Sequence, residues 1–146
     1  MACTILGIAD PRRPLGPAVL KSIEAFLNRG GALIALLPPR SGEELRPLLS
    51  GWGVEIGKDI VVDEVVRLFE GPTLGLNPIV SIYGAHPITL ALRERTLFAF
   101  TRSVRPGPPR NGLITATLAR TSATSWAETD LAGVFRESEA DLATEQ

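Results

Sequence analysis

A helix, a glycine turn and an apolar strand follow one another between residues 17 and 37, and this run constrains the fold most. Apolar residues recur at helical spacing from residue 19 to residue 27, and Gly30-Gly31 follow where that helix must end. Glycine adopts positive φ at no steric cost, so the pair predicts a sharp turn. The next six residues, Ala32–Leu37, are all apolar and stop at Pro38-Pro39. A continuous apolar run of this length predicts a strand that is buried on both faces.

An earlier apolar run, Thr4–Ala9, predicts a first strand that ends at Asp10. Strand, helix and strand in this order make a βαβ unit, whose strands are expected to be parallel with a right-handed crossover. Ser41 and Glu44 have the spacing of a capping box, which predicts a short helix that ends at Gly51-Trp52-Gly53. We expect Trp52 to pack in the core.

The second half of the chain contains shorter apolar runs. They predict strands at 60–62, 79–83, 97–101 and 113–119, whereas residues 64–78 contain glycine and proline without clear periodicity and predict a long surface excursion. We therefore expect an α/β fold, with a mostly parallel sheet flanked by helices. Residues 1–128 are expected to form one domain, and residues 129–146 an acidic, poorly ordered tail.

Charge and composition exclude several classes of function. The chain has 15 basic and 16 acidic residues and a net charge of −1, so no overall field favours nucleic acid. One histidine and one cysteine are too few for a typical transition-metal site. No glycine-rich phosphate-binding motif follows a strand, so we expect no nucleotide cofactor.

Candidate binding residues lie where strands end, because ligands gather at the carboxyl edge of an open α/β sheet. Asp10 follows the first strand. The alternative is that polar residues there are ordinary loop residues. His86, the only histidine, would need a serine such as Ser103, Ser122 or Ser125 to form a hydrolase site. The alternative for His86-Pro87 is an imidazole that holds its own turn through hydrogen bonds to the backbone.

The densest polar cluster in the sequence is Thr121–Glu128, which contains Ser122, Ser125 and Trp126. An exposed tryptophan among hydroxyls can stack on a sugar ring or anchor a partner protein. Alternatively, Trp126 packs on the sheet while the hydroxyls satisfy the loop backbone. We expect Trp126 to be buried, with Ser122 and Ser125 lining whatever groove the loop forms.

The order of several motifs resembles one family. These are Pro14-Leu15, Asn28-Arg-Gly-Gly31, Leu36-Leu-Pro38, Asp59-Ile-Val-Val-Asp63, Tyr83-Gly-Ala-His-Pro-Ile-Thr89, Arg102-Ser103 and Arg120-Thr-Ser-Ala-Thr-Ser-Trp-Ala-Glu128. Together, from about residue 4 to residue 132, they resemble the extracytoplasmic domain of uncharacterised ABC-type transport auxiliary proteins, which include gliding-motility-associated components. The resemblance implies a sheet similar to the class I glutamine amidotransferase-like, flavodoxin-like three-layer fold, without a catalytic cysteine.

The resemblance also implies a larger membrane protein whose partners are ABC transporter membrane subunits. We therefore expect a non-catalytic domain at the extracytoplasmic face of the membrane, which serves ligand binding or subunit assembly, with a small molecule or carbohydrate as a possible ligand. Two alternatives stay open: a small hydrolase or transferase that uses His86 with a nearby serine, and a cytoplasmic regulatory module of degenerate amidotransferase type. An exposed sheet edge would also favour self-association of the fragment.

Overall fold

A parallel strand pair and the helix between them begin the chain in the computed structural model, which describes residues 3–64 and 75–136. The elements are β1 (Ile5–Ala9), α1 (Pro17–Asn28) and β2 (Ala32–Leu36). The two strands pair in parallel, with Ile5 opposite Ala32. Gly30 turns the chain with φ of 85°, as its position after the helix requires. The predicted parallel βαβ unit is confirmed.

Only one face of the β1–β2 pair is covered by the described chain. Leu6, Ile8 and Leu33 pack against a core cluster that is buried and consists of Ile23, Leu45, Leu49 and Ile56. On the opposite face, Ile5, Ile34 and Leu36 are 58%, 56% and 63% exposed. The prediction of a strand buried on both faces is therefore wrong for the described residues, because α1 packs against a single face.

A short 3₁₀ turn, Glu43–Leu45, leads into α2 (Arg46–Gly51), which is followed by β3 (Val54–Ile56). The helix is where the sequence predicts it, but the capping box does not form. Gly42 occupies the N-cap position with φ of 69°, and Glu44 instead accepts a hydrogen bond of 2.9 Å from the backbone N–H of Leu15. Trp52, which was expected in the core, is 37% exposed.

The remaining strands are short and pair without parallel ladders. They are β4 (Ile60–Asp63), β5 (Ile79–Val80), β6 (Ile82–Tyr83), β7 (Thr96–Leu97), β8 (Val104–Pro106), β9 (Ala119–Arg120) and β10 (Ser125–Glu128). The antiparallel pairs are β3 with β8, β4 with β10, β5 with β7 and β6 with β9. The predicted strand at 113–119 is reduced to Ala119, and residues 113–118 join no ladder.

The predicted fold class is therefore wrong. A mostly parallel sheet flanked by helices, of the flavodoxin-like three-layer or amidotransferase-like kind, would need a helical crossover between successive parallel strands. Residues 75–130 contain no helix, and all the described ladders after β1–β2 are antiparallel. Turns are sufficient to join antiparallel strands, and this part of the chain is rich in the glycine and proline that turns use.

A second core lies under the β4–β10 pair. Ile60, Val62 and Leu76 are buried there, and three partly buried apolar side chains from residues 131–136, which are helical, pack against them: Leu131, Val134 and Phe135. The first part of the expected tail, residues 131–136, is thus helical and packs on this core. Its remainder, residues 137–146, lies outside the described residues, as does most of the expected surface excursion. The described end of that excursion is buried rather than exposed at Leu76 and Pro78.

Candidate functional site

A buried carboxylate gathers three hydroxyl groups at the end of β4. Asp63 is 1% exposed, and Ser122 donates a hydrogen bond of 2.7 Å to its Oδ2 atom. Ser125 donates to the same oxygen at 3.2 Å, and Thr124 donates to Oδ1 at 3.3 Å. The β4–β10 register explains the arrangement, since it places Ser125 directly opposite Asp63. We call these four residues the Asp63 cluster.

The hydroxyls of the polar loop have a partner that neither interpretation of the sequence named. Both predicted binding serines, Ser122 and Ser125, bind the Asp63 side chain instead of the loop backbone. A buried charge is costly unless hydrogen bonds satisfy it, and hydrogen bonds to a carboxylate are stronger than those between neutral groups. The cluster therefore fastens the loop before β10 to the end of β4.

A second carboxylate holds β8 from the β3–β4 turn. Asp59 is 7% exposed, and both the backbone N–H and the hydroxyl of Ser103 donate hydrogen bonds of 2.7 Å to it. The hydroxyl of Ser103, one of the candidate nucleophiles, is therefore oriented towards Asp59. Close approach of the two side chains leaves no room for a Cβ atom at Gly57.

The third polar cluster joins the segment before α2 to Arg102, which lies two residues before β8. Arg102 is 3% exposed, with Nη1 at 2.9 Å from Glu43 Oε1 and Nη2 donating to the Pro38 carbonyl at 2.8 Å. Arg46 pairs with the other oxygen of Glu43 at 2.8 Å. Partial burial alone would raise the pKa of Glu43, but hydrogen bonds and charge from the two arginines outweigh it and lower that pKa. No local motif marks these residues as partners, because Glu43 and Arg102 are far apart in sequence.

Asp10 and His86 lie in separate turns. Asp10 has φ of 41° and lies 3.7 Å from the guanidinium of Arg12, in an ion pair whose two side chains are both exposed. Such pairs contribute little to stability. His86 accepts a hydrogen bond of 3.2 Å at Nδ1 from the backbone N–H of Ile88, which is the kind of contact expected of an imidazole that holds its own turn. In the described chain, neither residue has a hydrogen bond to the serines of the Asp63 cluster.

Trp126 lies on β10 opposite Val62 and is 40% exposed, so the expected burial is wrong. Glu128 follows two residues along the same strand and therefore lies on the same face as the indole. The pKa of Glu128 is lowered, first by a hydrogen bond of 2.8 Å from the backbone N–H of Asp130 and then by the indole.

Between β8 and the segment 114–121 lies an open cleft of about 910 Å³. Its walls are residues 52–54, 101–106 and 114–121, together with Val61, Val80 and Phe98. Of the predicted binding residues, none is among those that line it. Nothing in the local sequence marks this cleft, because its walls come from segments that are about fifty residues apart. As for metal ions, no group of three or more histidine, cysteine or acidic side chains in residues 3–64 and 75–136 could hold one.

Comparison with known proteins gives the chain its family. Residues 2–146 match the model of a family described as an ABC-type uncharacterized transport system, and the chain belongs to that family. The resemblance of its ordered motifs is thereby confirmed. The coarse function follows: the chain is a component of an uncharacterised ABC-type transport system.

A solved structure, the "mmIFT52 N-terminal domain", has a similar fold, with a TM-score of 0.66 and 19% sequence identity. The similarity covers 84% of this chain but only 58% of that domain. At this identity it shows the fold alone. No curated protein matches the chain. Across the described parts of the chain, no helix is both long enough and apolar enough to cross a membrane.

Proposed function

We propose that the chain forms a non-catalytic domain of an ABC-type transport system, which serves subunit assembly or ligand binding at the extracytoplasmic face of the membrane. Membership of the transport-system family supports the context. The observation that carries the non-catalytic role is the orientation of the polar groups. The three polar clusters lie in or beside the motifs that mark the family resemblance, and each is built around a buried charged side chain that other groups of the chain already bind: Asp63, Asp59 and Arg102.

The engagement of these groups argues against acid–base or nucleophilic work. A general base must reach a substrate proton within hydrogen-bond distance. Asp63 and Asp59 are almost wholly buried and accept hydrogen bonds from serine hydroxyls. Those hydroxyls join separate segments of the chain, which is what a domain that must keep a fixed binding surface requires. His86 supports its own turn.

Association with the transporter is tested by purification from membranes. The full-length protein that contains this chain is tagged, extracted in mild detergent from its own cells and isolated. We expect the ATPase and membrane subunits of one ABC transporter to be enriched over a tagged, unrelated membrane protein. If no ABC subunit is enriched over that control, the proposed role in transport is wrong.

The side of the membrane is tested with Cys3, the only cysteine of the chain, which is exposed. In a full-length protein whose other cysteines have been replaced, a membrane-impermeant maleimide should label Cys3 in intact cells with a permeable outer envelope. The Cys3→Ser variant is the matched control and should remain unlabelled. Labelling that appears only after the cytoplasmic membrane is broken would place the domain in the cytoplasm instead.

A further inference from the structure

One edge of β8 faces the cleft, and its backbone groups have no hydrogen-bond partner within residues 3–64 and 75–136. On its other side β8 pairs with β3, with Arg105 opposite Glu55 and the N–H of Gly57 donating to the Ser103 carbonyl at 2.8 Å. In an antiparallel ladder, alternate residues turn their N–H and C=O groups to opposite sides of the strand. The backbone groups of Val104 therefore point away from β3. Val104 lines the cleft and is 59% exposed.

The opposite wall offers a second edge of the same kind. β9 pairs with β6, with Arg120 opposite Ile82 and the N–H of Gly84 donating to the Leu118 carbonyl at 2.9 Å. By the same alternation, the backbone groups of Ala119 point away from β6. Ala119 also lines the cleft.

The segment before β9 adds a row of unpaired donors. Within the described structure, the backbone N–H groups of residues 114–117 donate to no protein acceptor, and these residues belong to no ladder. Ile114, which begins this row, is 99% exposed. Backbone polar groups are usually paired within the protein, with water or with a ligand, so this wall can accept an added strand.

The charge of the cleft is positive. Arg105 and Arg120 line it, and both are exposed. In residues 3–64 and 75–136 neither forms an ion pair, whereas Arg102 is ion-paired with Glu43. No acidic residue is present among the described residues that line the cleft. The apolar part of the lining includes Trp52 and Phe98.

We propose that this cleft binds an extended acidic peptide segment of a partner protein, which adds as a strand between β8 and β9. Backbone hydrogen bonds to the edges at Val104 and Ala119 supply affinity, as in other complexes formed by strand addition. Carboxylates of the segment pair with Arg105 and Arg120 and select acidic partners. The inference rests on the proposed assembly role and names the chemistry of the partner.

Binding is followed by the fluorescence of Trp52 in a Trp126→Phe background, since Trp52 lines the cleft and Trp126 does not. The probe is a capped eight-residue peptide of alternating valine and glutamate. We expect a saturable change in fluorescence. Two matched peptides separate the contributions: one carries lysine in place of glutamate, and the other has methylated backbone nitrogens. Each is expected to bind at least ~10-fold more weakly, because one loses charge complementarity and the other loses its backbone donors.

Two double variants with equal net charge test the position of the site. Arg105→Gln with Arg120→Gln should weaken binding of the glutamate peptide at least ~10-fold. Arg13→Gln with Arg95→Gln changes two exposed arginines outside the lining and should leave it unchanged. Arg105→Lys with Arg120→Lys changes the same two positions but keeps both charges, so it should retain binding if the loss in the glutamine variant comes from charge and not from loss of fold.

Several results would overturn the inference. These are equal binding of the lysine peptide or the methylated peptide, no binding of the glutamate peptide, and equal weakening by both double variants. Competition by decanoate would identify a small amphiphilic anion as the occupant instead. Self-association by light scattering, abolished by Arg105→Gln with Arg120→Gln, would identify a second copy. If the glutamate peptide does not bind but ABC subunits still co-purify with the protein, only this inference is wrong. If the peptide binds but no ABC subunit co-purifies, the proposed assembly role is wrong.

Discussion

Ser122 Oγ lies 2.7 Å from Asp63 Oδ2, so a hydroxyl from the loop before β10 donates to a buried carboxylate at the end of β4. The two residues are 59 positions apart in sequence. Their contact fastens the last described ladder to the strand whose side chains form the second core, Ile60 and Val62. Residues that sequence patterns offered as a binding loop are therefore part of what holds the domain together.

The first prediction concerns Asp63 itself. Asp63→Asn removes the charge and replaces one acceptor oxygen with a donor that faces hydroxyl groups. We expect a loss of about 1.5–3 kcal/mol in the free energy of unfolding, the range for hydrogen bonds to charged groups. Urea denaturation measures it. Glu64→Gln makes the same change of charge at the next residue, which is exposed, and should stay within about 0.5 kcal/mol. Equal effects of the two variants would contradict a specific role of the Asp63 cluster.

The second prediction concerns Trp126, which is partly buried against β4. Trp126→Ala should lower the free energy of unfolding by about 1–2 kcal/mol. This is above the usual effect of a surface change and below the 3–5 kcal/mol typical of a core tryptophan. Thermal or urea denaturation decides between these ranges.

The pKa of Glu128 reports on the indole of Trp126 independently of protein stability. Trp126→Phe keeps an aromatic ring but removes the indole donor, so the pKa of Glu128 should rise towards its ordinary value. The hydrogen bond from Asp130 remains and should keep that pKa partly lowered. NMR titration of the Glu128 side chain measures the change, and an unaltered pKa would show that the indole does not donate to it.

Local sequence signals predict the first part of the chain well. Proline at the start of α1, apolar residues at helical spacing and the turn at Gly30 all act within one helix length, so β1, α1 and β2 form where they are expected. The exposure of one face of β2 could not be predicted from such local signals. Whether Ile34 and Leu36 are covered depends on what packs on the second face, and no pattern within the strand specifies that.

The later part depends on pairing between distant segments. Strands of two to four residues, such as β5 and β6, are too short for a clear period of alternation. Their direction depends on partners that are more than a dozen residues away, for example Ile82 with Arg120. Prediction of the site is limited in the same way: serine and aspartate motifs are visible in the sequence, but the contact of Asp63 with Ser122 depends on the β4–β10 register. The cleft could be predicted only if the β3–β8 and β6–β9 pairs were both known.

The third prediction is a pH dependence that arises from Glu43. Its pKa is lowered in the folded protein, so its contribution to stability is present above the ordinary glutamate pKa of about 4.3 and is lost as pH falls through the lower folded value. Glu43→Gln should cost about 1.5–3 kcal/mol at pH 7 through hydrogen bonds to Arg102 and Arg46. The difference from the parent should shrink below about pH 4.3.

Denaturation series at pH 7, 5, 4 and 3 measure this dependence. Glu24→Gln, at an exposed position of α1, is the matched control and should stay within about 0.5 kcal/mol of the parent at pH 7. A cost of Glu43→Gln that persists unchanged at pH 3 would show that the effect of this variant comes from shape or packing, and not from the carboxylate charge.

The last prediction compares two glycines in the β3 region. A Cβ atom at Gly57 would collide with Oδ2 of Asp59 and the hydroxyl of Ser103, both of which are already committed to each other. Gly57→Ala should therefore break this contact and destabilise the domain by about 1–3 kcal/mol, as overpacking does. Gly51 ends α2 with open space around its α-carbon and without positive φ, so Gly51→Ala should be neutral or stabilising by up to about 1 kcal/mol.

Ser103→Ala in the Gly57→Ala background separates the collision of the new methyl group with the Ser103 hydroxyl from the loss of the hydrogen bond between Ser103 and Asp59. If removal of the hydroxyl leaves the cost of Gly57→Ala undiminished, the obstruction lies in Asp59 alone. A Gly57→Ala protein as stable as the parent would contradict the close packing of this turn against β8.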